Sequence, residues 1–414
     1  MQKSNKRNMF LVKAETVVTV ALLAQPIMTP FYRSLGLSQS EIALTQMMFT
    51  LVVMILNIPL GYVADRFGRK EANVIGDLLC AFALLSYSRV QCFWQIVGCE
   101  ILFGIGVAFS QGVDSTLLQH FCEKEKGVDA EKLFMRQSSR MAVVCEVYSS
   151  VLILLGGPIG AISFRLAIGL SSIPLFIGAV LSMMVEDDSP RLKVVHEEVG
   201  GEQKGKFGAF IQMRDILRKE LKAPQLQLRI MAHIVVRECT HGIIWVFTPL
   251  MMLVGVPVSI VSVGWALNEA MSFLGASLAH KYAERMRDWQ VYTAPIVAVT
   301  VASSTMFVSL NIFTVWLYGV FGMARGWVSA TSMPRLKNYV EDKEVRTMVE
   351  SFARVCSQFL YIGAVWVINR AADIELKYAL LATVVVFLPL ALPVMIALKR
   401  EAENGVAAQC RKSA

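Results

Sequence analysis

The chain has 414 residues, 55% of them hydrophobic and only 17% charged, with a mean hydropathy of +0.53. A water-soluble domain of that length needs far more charge to cover its surface, so that class is excluded. The net charge of +8 admits nucleic acid as a partner only if the basic residues form one patch.

Apolar runs of about twenty residues, the length a helix needs to cross ~30 Å of hydrocarbon, recur along the whole chain. About twelve are read, at 10–32, 41–63, 71–88, 91–118, 137–160, 164–186, 228–253, 258–280, 289–309, 311–334, 347–369 and 376–398. They are too long and too uniformly apolar for spanning β-strands. The first run follows Lys3, Lys6 and Arg7, as a signal peptide would, but Glu15 within it and its continuation to Met28 mark a retained span. Polar residues separate the sixth and seventh runs. That stretch opens with "DDSPRLKVVHEEVGGEQKGK" and turns into "FGAFIQMRDILRKELK", where Phe207, Phe210, Ile211, Ile216 and Leu217 share one helical face. A helix lying on the membrane surface is expected there.

The basic residues orient the chain. With residues at span ends given to the adjoining loop, 32 of the 40 Lys and Arg fall on the side of the N-terminus and 5 on the other. Both termini are therefore expected in the cytoplasm, with an even number of spans. Charge that alternates with the loops is not a nucleic-acid footprint, so no nucleic acid is expected as a partner. The eight cysteines are scattered with no CxxC pair, which gives neither a disulfide framework nor a zinc site. No HExxH, GxSxG or P-loop occurs, so an enzyme and ATP-driven transport are not expected.

The second run ends in "GYVADRFGRK", Gly61 to Lys70. This resembles the G-x-x-x-D-R-x-G-R-[RK] signature of the major facilitator superfamily, between its second and third spans, and it matches at every specified position. Gly61 suits close helix approach and Gly68 a tight turn. The resemblance implies an all-α membrane protein of about 12 transmembrane helices in two six-helix halves. The halves are drawn at 1–186 and 228–398, around a cytoplasmic linker at 187–227 and before a cytoplasmic tail at 399–414. It also implies a conformational latch made by Gly61, Asp65, Arg66, Gly68, Arg69 and Lys70, with Glu350 and Arg354, an i,i+4 pair, as partners. "GASLAHKYAER" from Gly275 looks like a degenerate second copy, with Ala279 and His280 where Asp65 and Arg66 correspond.

"GGPIGA" at 156–161 is similar to the Gly-Pro element of the superfamily's antiporter motif, 17 residues after Arg140, though Ile153 stands at one of its glycines. Export is the implied direction; a helix bend at Gly157 and Pro158 is the structural alternative. "GVDSTLL", Gly112 to Leu118, looks like a segment of bacterial exporter-like members. In the fourth run Glu100 stands near where many proton-coupled members have an arginine.

In superfamily members spans 1, 4, 7 and 10 line a central cavity. At 100° per residue, Glu100, Gln111 and Asp114 lie within about 60° of one another on span 4. His233, Arg237, His241 and Thr248 share a face of span 7, with Glu238 beside it; Asn311, Tyr318, Arg325, Ser329 and Ser332 share one of span 10. Span 1 adds Glu15. Charge inside a bilayer is costly and usually functional, so Glu15, Asp114, Glu146, Arg237, Glu238, His241, Glu269, Tyr318 and Arg325 form the candidate substrate and proton pathway. The alternative is an internal ion pair of Arg237 with Glu238, and His241 as a packing residue. Glu269 and Glu146 have no Lys or Arg within four residues on their own helices, which makes them the expected proton carriers, with Glu15 and Asp114 next.

The expected protein is a monomeric inner-membrane secondary transporter that exports a lipophilic or cationic small molecule against protons, with no cofactor or metal. A proton symporter or uniporter for a sugar, organic acid or other nutrient is the alternative, and a non-transporting receptor the one outside the class.

Overall fold

The computed structural model describes residues 2–20, 22–125, 129–186, 223–340 and 343–413. The amphipathic helix expected in the linker lies outside the described residues. Every regular element among those described is helical, and nine of the helices are long and apolar enough to cross a membrane. They cover nine of the runs read from sequence. The other three runs are those at 10–32, 71–88 and 311–334.

Two compact units form. The first takes the described part of 1–195 together with Val256–Ala266, the second the described part of 196–255 with 267–414. In the first unit, α1 (Gln2–Thr19) stops early, and a 3-10 turn at Gln25–Ile27 leads into α2 (Met28–Ser34). The single helix expected at 10–32 is thus broken. Pro26 and Pro30 lack the amide hydrogens that an unbroken helix would use there. The next helix, α3 (Gln39–Phe67), starts in a capping box: the Ser38 hydroxyl accepts from the Glu41 amide and Glu41 Oε2 accepts from the Ser38 amide. Gly68, at φ +130°, turns the chain into α4 (Arg69–Tyr87), a backbone angle that L side chains rarely adopt.

The fourth run is also broken. Here α5 (Phe93–Ser110) gives way to α6 (Val113–Glu123) at Gly112, whose φ of +82° ends one helix and opens the next. After it come α7 (Ala130–Ile162), α8 (Phe164–Leu170) and α9 (Ser172–Met184). The core of this unit joins α1, α6 and the end of α9 through Met9, Val12, Leu118, Phe121 and Val185. On α7 the helix continues through Pro158, and the glycines beside it act as contact points. A Cβ at Gly156 would lie 2.0 Å from the Leu23 carbonyl oxygen, and one at Gly157 2.4 Å from Ser262 Oγ. Close packing, not a break, is what these glycines permit.

The second unit holds α10 (Pro224–Cys239), α11 (Ile244–Leu253), most of α12 (Val258–Tyr282), α13 (Asp288–Val308), α14 (Tyr318–Lys337), α15 (Lys343–Ile374) and α16 (Tyr378–Ser413). The break between α10 and α11 has a local cause. The Arg237 carbonyl is taken by the Thr240 hydroxyl at 2.8 Å and approached by His241 Nδ1 at 2.9 Å, and the backbone tightens to i→i+3 bonds. α12 and α14 pack through glycine: a Cβ at Gly322 would be 2.1 Å from the Asn268 carbonyl oxygen and one at Gly326 1.7 Å from that of Ser272. At one end of the unit Arg229 of α10, 5% exposed, joins three other elements. Its guanidinium reaches Glu401 of α16 at 2.5 Å, Asp288 of α13 at 3.4 Å and the Tyr339 hydroxyl at 2.9 Å. Asp288 is also bound by Arg335 and by the Tyr339 hydroxyl, the latter at 2.8 Å.

Candidate functional site

The first unit holds a half-open cavity of about 320 Å³. Three carboxyls line it: Glu15 near the end of α1, Asp77 in the middle of α4 and Asp114 in the first turn of α6. Glu15 and Asp77 are 1% and 3% exposed. Glu15 is the central member, within side-chain hydrogen-bonding reach of both Asp114 and Asp77. Asn73, one turn before Asp77 on α4, donates to Asp114 Oδ1 at 2.9 Å and to Ser182 Oγ of α9 at 3.1 Å. Thr19 closes the same wall with a 3.4 Å contact to Glu15 Oε1.

Each carboxyl is held there by backbone features already described. Glu15 sits one turn before the end of α1, where the chain unwinds. Asp114 is aimed by the left-handed Gly112, which starts α6 beneath it. Asp77 fits because α9 presents Gly178 to it; a Cβ at that glycine would come within 3.0 Å of Asp77 Oδ2 and 2.4 Å of the Thr19 methyl. No basic side chain pairs with the three carboxyls among the described residues, and Glu15 Oε2 and Asp77 Oδ2 are buried without a hydrogen-bond partner. Three like charges in one buried space need compensating positive charge, and among the described residues no basic side chain supplies it there.

The sequence reading named Glu15 and Asp114 and passed over Asp77 and Asn73. The signal was present: no Lys or Arg occurs between Lys70 and Arg89, so Asp77 is an unaccompanied carboxyl inside a run. Asp77 belongs to span 3, outside the spans 1, 4, 7 and 10 that line the cavity in superfamily members. Glu100 is set apart from this cavity, buried with the Tyr32 hydroxyl at 3.2 Å and the Gln46 amide at 2.5 Å.

In the second unit the candidates separate into two groups. Glu269 of α12 forms a 2.6 Å ion pair with Arg325 of α14. The sequence argument for Glu269 as a proton carrier looked for cations along its own helix; the cation comes from a neighbouring one. Tyr318, one face of the same helix α14, stacks on Phe247 of α11 with ring centroids 3.4 Å apart and is buried. Arg237 lies 3.5 Å from the buried Glu238, which also meets Ser357 of α15, and His241 leans on the Arg237 carbonyl. His233 pairs with Ser332 at 2.9 Å. These contacts match the internal ion-pair alternative for Arg237, Glu238 and His241. Glu146 is exposed on α7 and is not part of the cavity wall.

Of the expected latch, Glu350 is bound by Lys337 at 2.6 Å and by Arg354 at 3.2 Å, the i,i+4 contact read from sequence. Gly68 makes its turn, whereas a Cβ at Gly61 would meet nothing within 4 Å, so Gly61 serves no close approach among the described residues. Arg66 is exposed and Arg69 and Lys70 partly buried. The Asp65 side chain lies outside the described residues.

Comparison with known proteins places this architecture. No curated protein sequence matches the chain. Among solved structures, the nucleoside transporter NupG is similar with a TM-score of 0.71 at 11% identity, over 95% of this chain and 98% of that one. A bacterial homologue of the human lysosomal transporter Spinster is similar at TM-score 0.70 and 15% identity, over 96% and 97%. A D-xylose–proton symporter is similar at TM-score 0.66 and 13% identity, over 94% and 95%. At such identities these likenesses show the fold. A family model described as the Major Facilitator Superfamily matches residues 17–364. Most of the sequence is thereby accounted for, and the chain belongs to the major facilitator superfamily: it is a multi-pass membrane transporter, not an enzyme.

Proposed function

We propose that this transporter is proton-coupled and exports lipophilic cations from the cytoplasm across the inner membrane by alternating access. The observation that carries the reading is the buried Glu15–Asp77–Asp114 cavity, which has carboxyls within reach of one another and no basic residue among its lining. Carboxyls so placed exchange protons with whichever side the cavity opens to, and a positively charged substrate can take a proton's place. The proton carriers in this reading are Glu15 and Asp114, joined by Asp77, with Glu269 occupied by Arg325.

A second reading, uptake or facilitated passage of a polar nutrient, fits the fold equally. It draws on the second unit, where the buried Phe247–Tyr318 stack and the partly exposed Arg325–Glu269 pair bring aromatic and hydrogen-bonding side chains into one region. Structurally similar proteins are by name a nucleoside transporter and a D-xylose–proton symporter.

Proteoliposomes separate the two. With an imposed pH gradient, the parent protein should accumulate ethidium against its concentration gradient, and Glu15→Gln should abolish that dependence while the protein still inserts and purifies normally. A parent that ignores the gradient for ethidium but moves radiolabelled uridine or xylose would establish the second reading.

A further inference from the structure

The three carboxyls of the cavity are not equivalent, and their differences define an exchange ratio. Asp114 is tethered: Asn73 donates to it, Ser182 holds Asn73, and Glu15 is in reach of it. Asp77 has no such support. Its Oδ2 is buried against the Gly178 face of α9 without a donor, and its link to the others is Glu15. Two carboxyl–carboxyl contacts, Asp77 with Glu15 and Glu15 with Asp114, each need one shared proton to become hydrogen bonds. With both protons present the group of three carries one net negative charge.

The space beside them has a chemistry of its own. Its charged side chains are all negative: besides the three carboxyls, the C-terminal ends of α1 at Thr19 and of α5 at Ser110 meet there with their partial negative charge, while the Gln25 amide is neutral and the start of α6 under Asp114 supplies a partial positive charge. The rest is apolar, from Leu22, Phe103, Val107 and Leu175. A volume of about 320 Å³ is that of roughly ten water molecules and lies at the low end for small-molecule sites. A bare metal ion needs several oxygen ligands converging on one point, and no group of three or more His, Cys, Asp or Glu among the described residues is so arranged. The other titratable groups near Asp77 are Glu15 from α1, Asp114 from α6 and Cys80 on its own helix; α5 and α9 bring none to the wall, and Cys145 of α7 lies toward Asp114 and Glu15.

We infer that the cavity exchanges one small organic monocation for one proton at Asp77, while a second proton stays shared between Glu15 and Asp114, so that the exchange is electroneutral. This rests on the proton-coupled reading above and names its site and ratio. Replacing one proton by one monocation takes the three carboxyls from one net negative charge to two, and the bound cation restores the site to one. Expelling both would leave an additional buried negative charge, which a site without a basic residue does not tolerate.

The test uses the purified full-length protein and benzyltrimethylammonium as probe. Calorimetric titration at pH 7 in buffers of different ionisation heat should give release of about one proton per bound cation. Sodium chloride and benzyl alcohol should give no binding. Asp77→Asn should bind the probe more than about thirtyfold more weakly, and Asp77→Glu should keep both binding and the single released proton. If Asp77→Asn does not fold, as judged by gel filtration, the proton count of the parent and of Asp77→Glu decides. Release of two protons or of none, or parent-like binding by a folded Asp77→Asn, overturns the inference. In proteoliposomes accumulation should follow a pH gradient and not a potassium–valinomycin potential. Accumulation driven by the potential as well would overturn the electroneutral ratio alone, whereas no response to the pH gradient would overturn the proton-coupled reading itself.

Discussion

Glu269 and Arg325 show how one contact changes what a residue can do. Their side chains are 14% and 22% exposed and 2.6 Å apart, so each neutralises the other in a region with little water. Glu269→Gln leaves the guanidinium short of an anion and should destabilise the protein by about 2–3 kcal/mol. The double variant Glu269→Gln with Arg325→Met should recover most of that loss in a thermal melt. Equal melting of the single and double variants would show that the pair does not couple. The candidate pathway was legible at Glu15 and Asp114, because an acid inside an apolar run announces itself. It was misjudged at Glu269, since sequence spacing reports neighbours along a helix and not those across to the next one. Asp77 went unread for the complementary reason: the carboxyls beside it, Glu15 and Asp114, come from two other helices, and no single-helix stripe joins the three.

Helices in this protein meet where glycine lets backbone touch backbone. The crossing of α12 and α14 is the tightest, and an added methyl at Gly326 would overlap the Ser272 carbonyl oxygen at 1.7 Å. A backbone atom cannot step aside as a flexible side chain can. Gly326→Ala should therefore cost upward of about 2 kcal/mol and lower the melting temperature by about 4–8 °C. Gly98→Ala on α5, where a Cβ would meet nothing within 4 Å, should melt like the parent. Nine of the expected runs are readable as spans because length and apolarity alone define them. The breaks were less legible. Gly112 could be a packing glycine or a left-handed turn, and only the backbone decides; at Thr240 and His241 the break arises from side chains capturing a carbonyl, which composition does not reveal.

At the scale of the whole molecule, the asymmetry of basic residues predicts where each loop lies. In a background without native cysteines, Asn338→Cys and Glu403→Cys, both exposed, should react with an impermeant thiol reagent only from the cytoplasmic side. Glu375→Cys, exposed between α15 and α16, should react only from the other. Labelling from the opposite faces would refute six spans in each half. Family and fold were legible because the apolar runs and the ten-residue signature report on the membrane and the family, while the acid cavity is a product of packing. The Arg229 cluster carries a consequence for biosynthesis. Arg229 is nearly buried, and Glu401, which it contacts at 2.5 Å, is made 172 residues later. At ~5–20 residues per second, the ribosome reaches Glu401 roughly 10–30 s after Arg229. Asp288 arrives partway and must also satisfy Arg335, so the charges balance only when the last helix is in place. A product that stops short of Glu401 thus keeps a nearly buried arginine without the carboxylate that lies 2.5 Å from it.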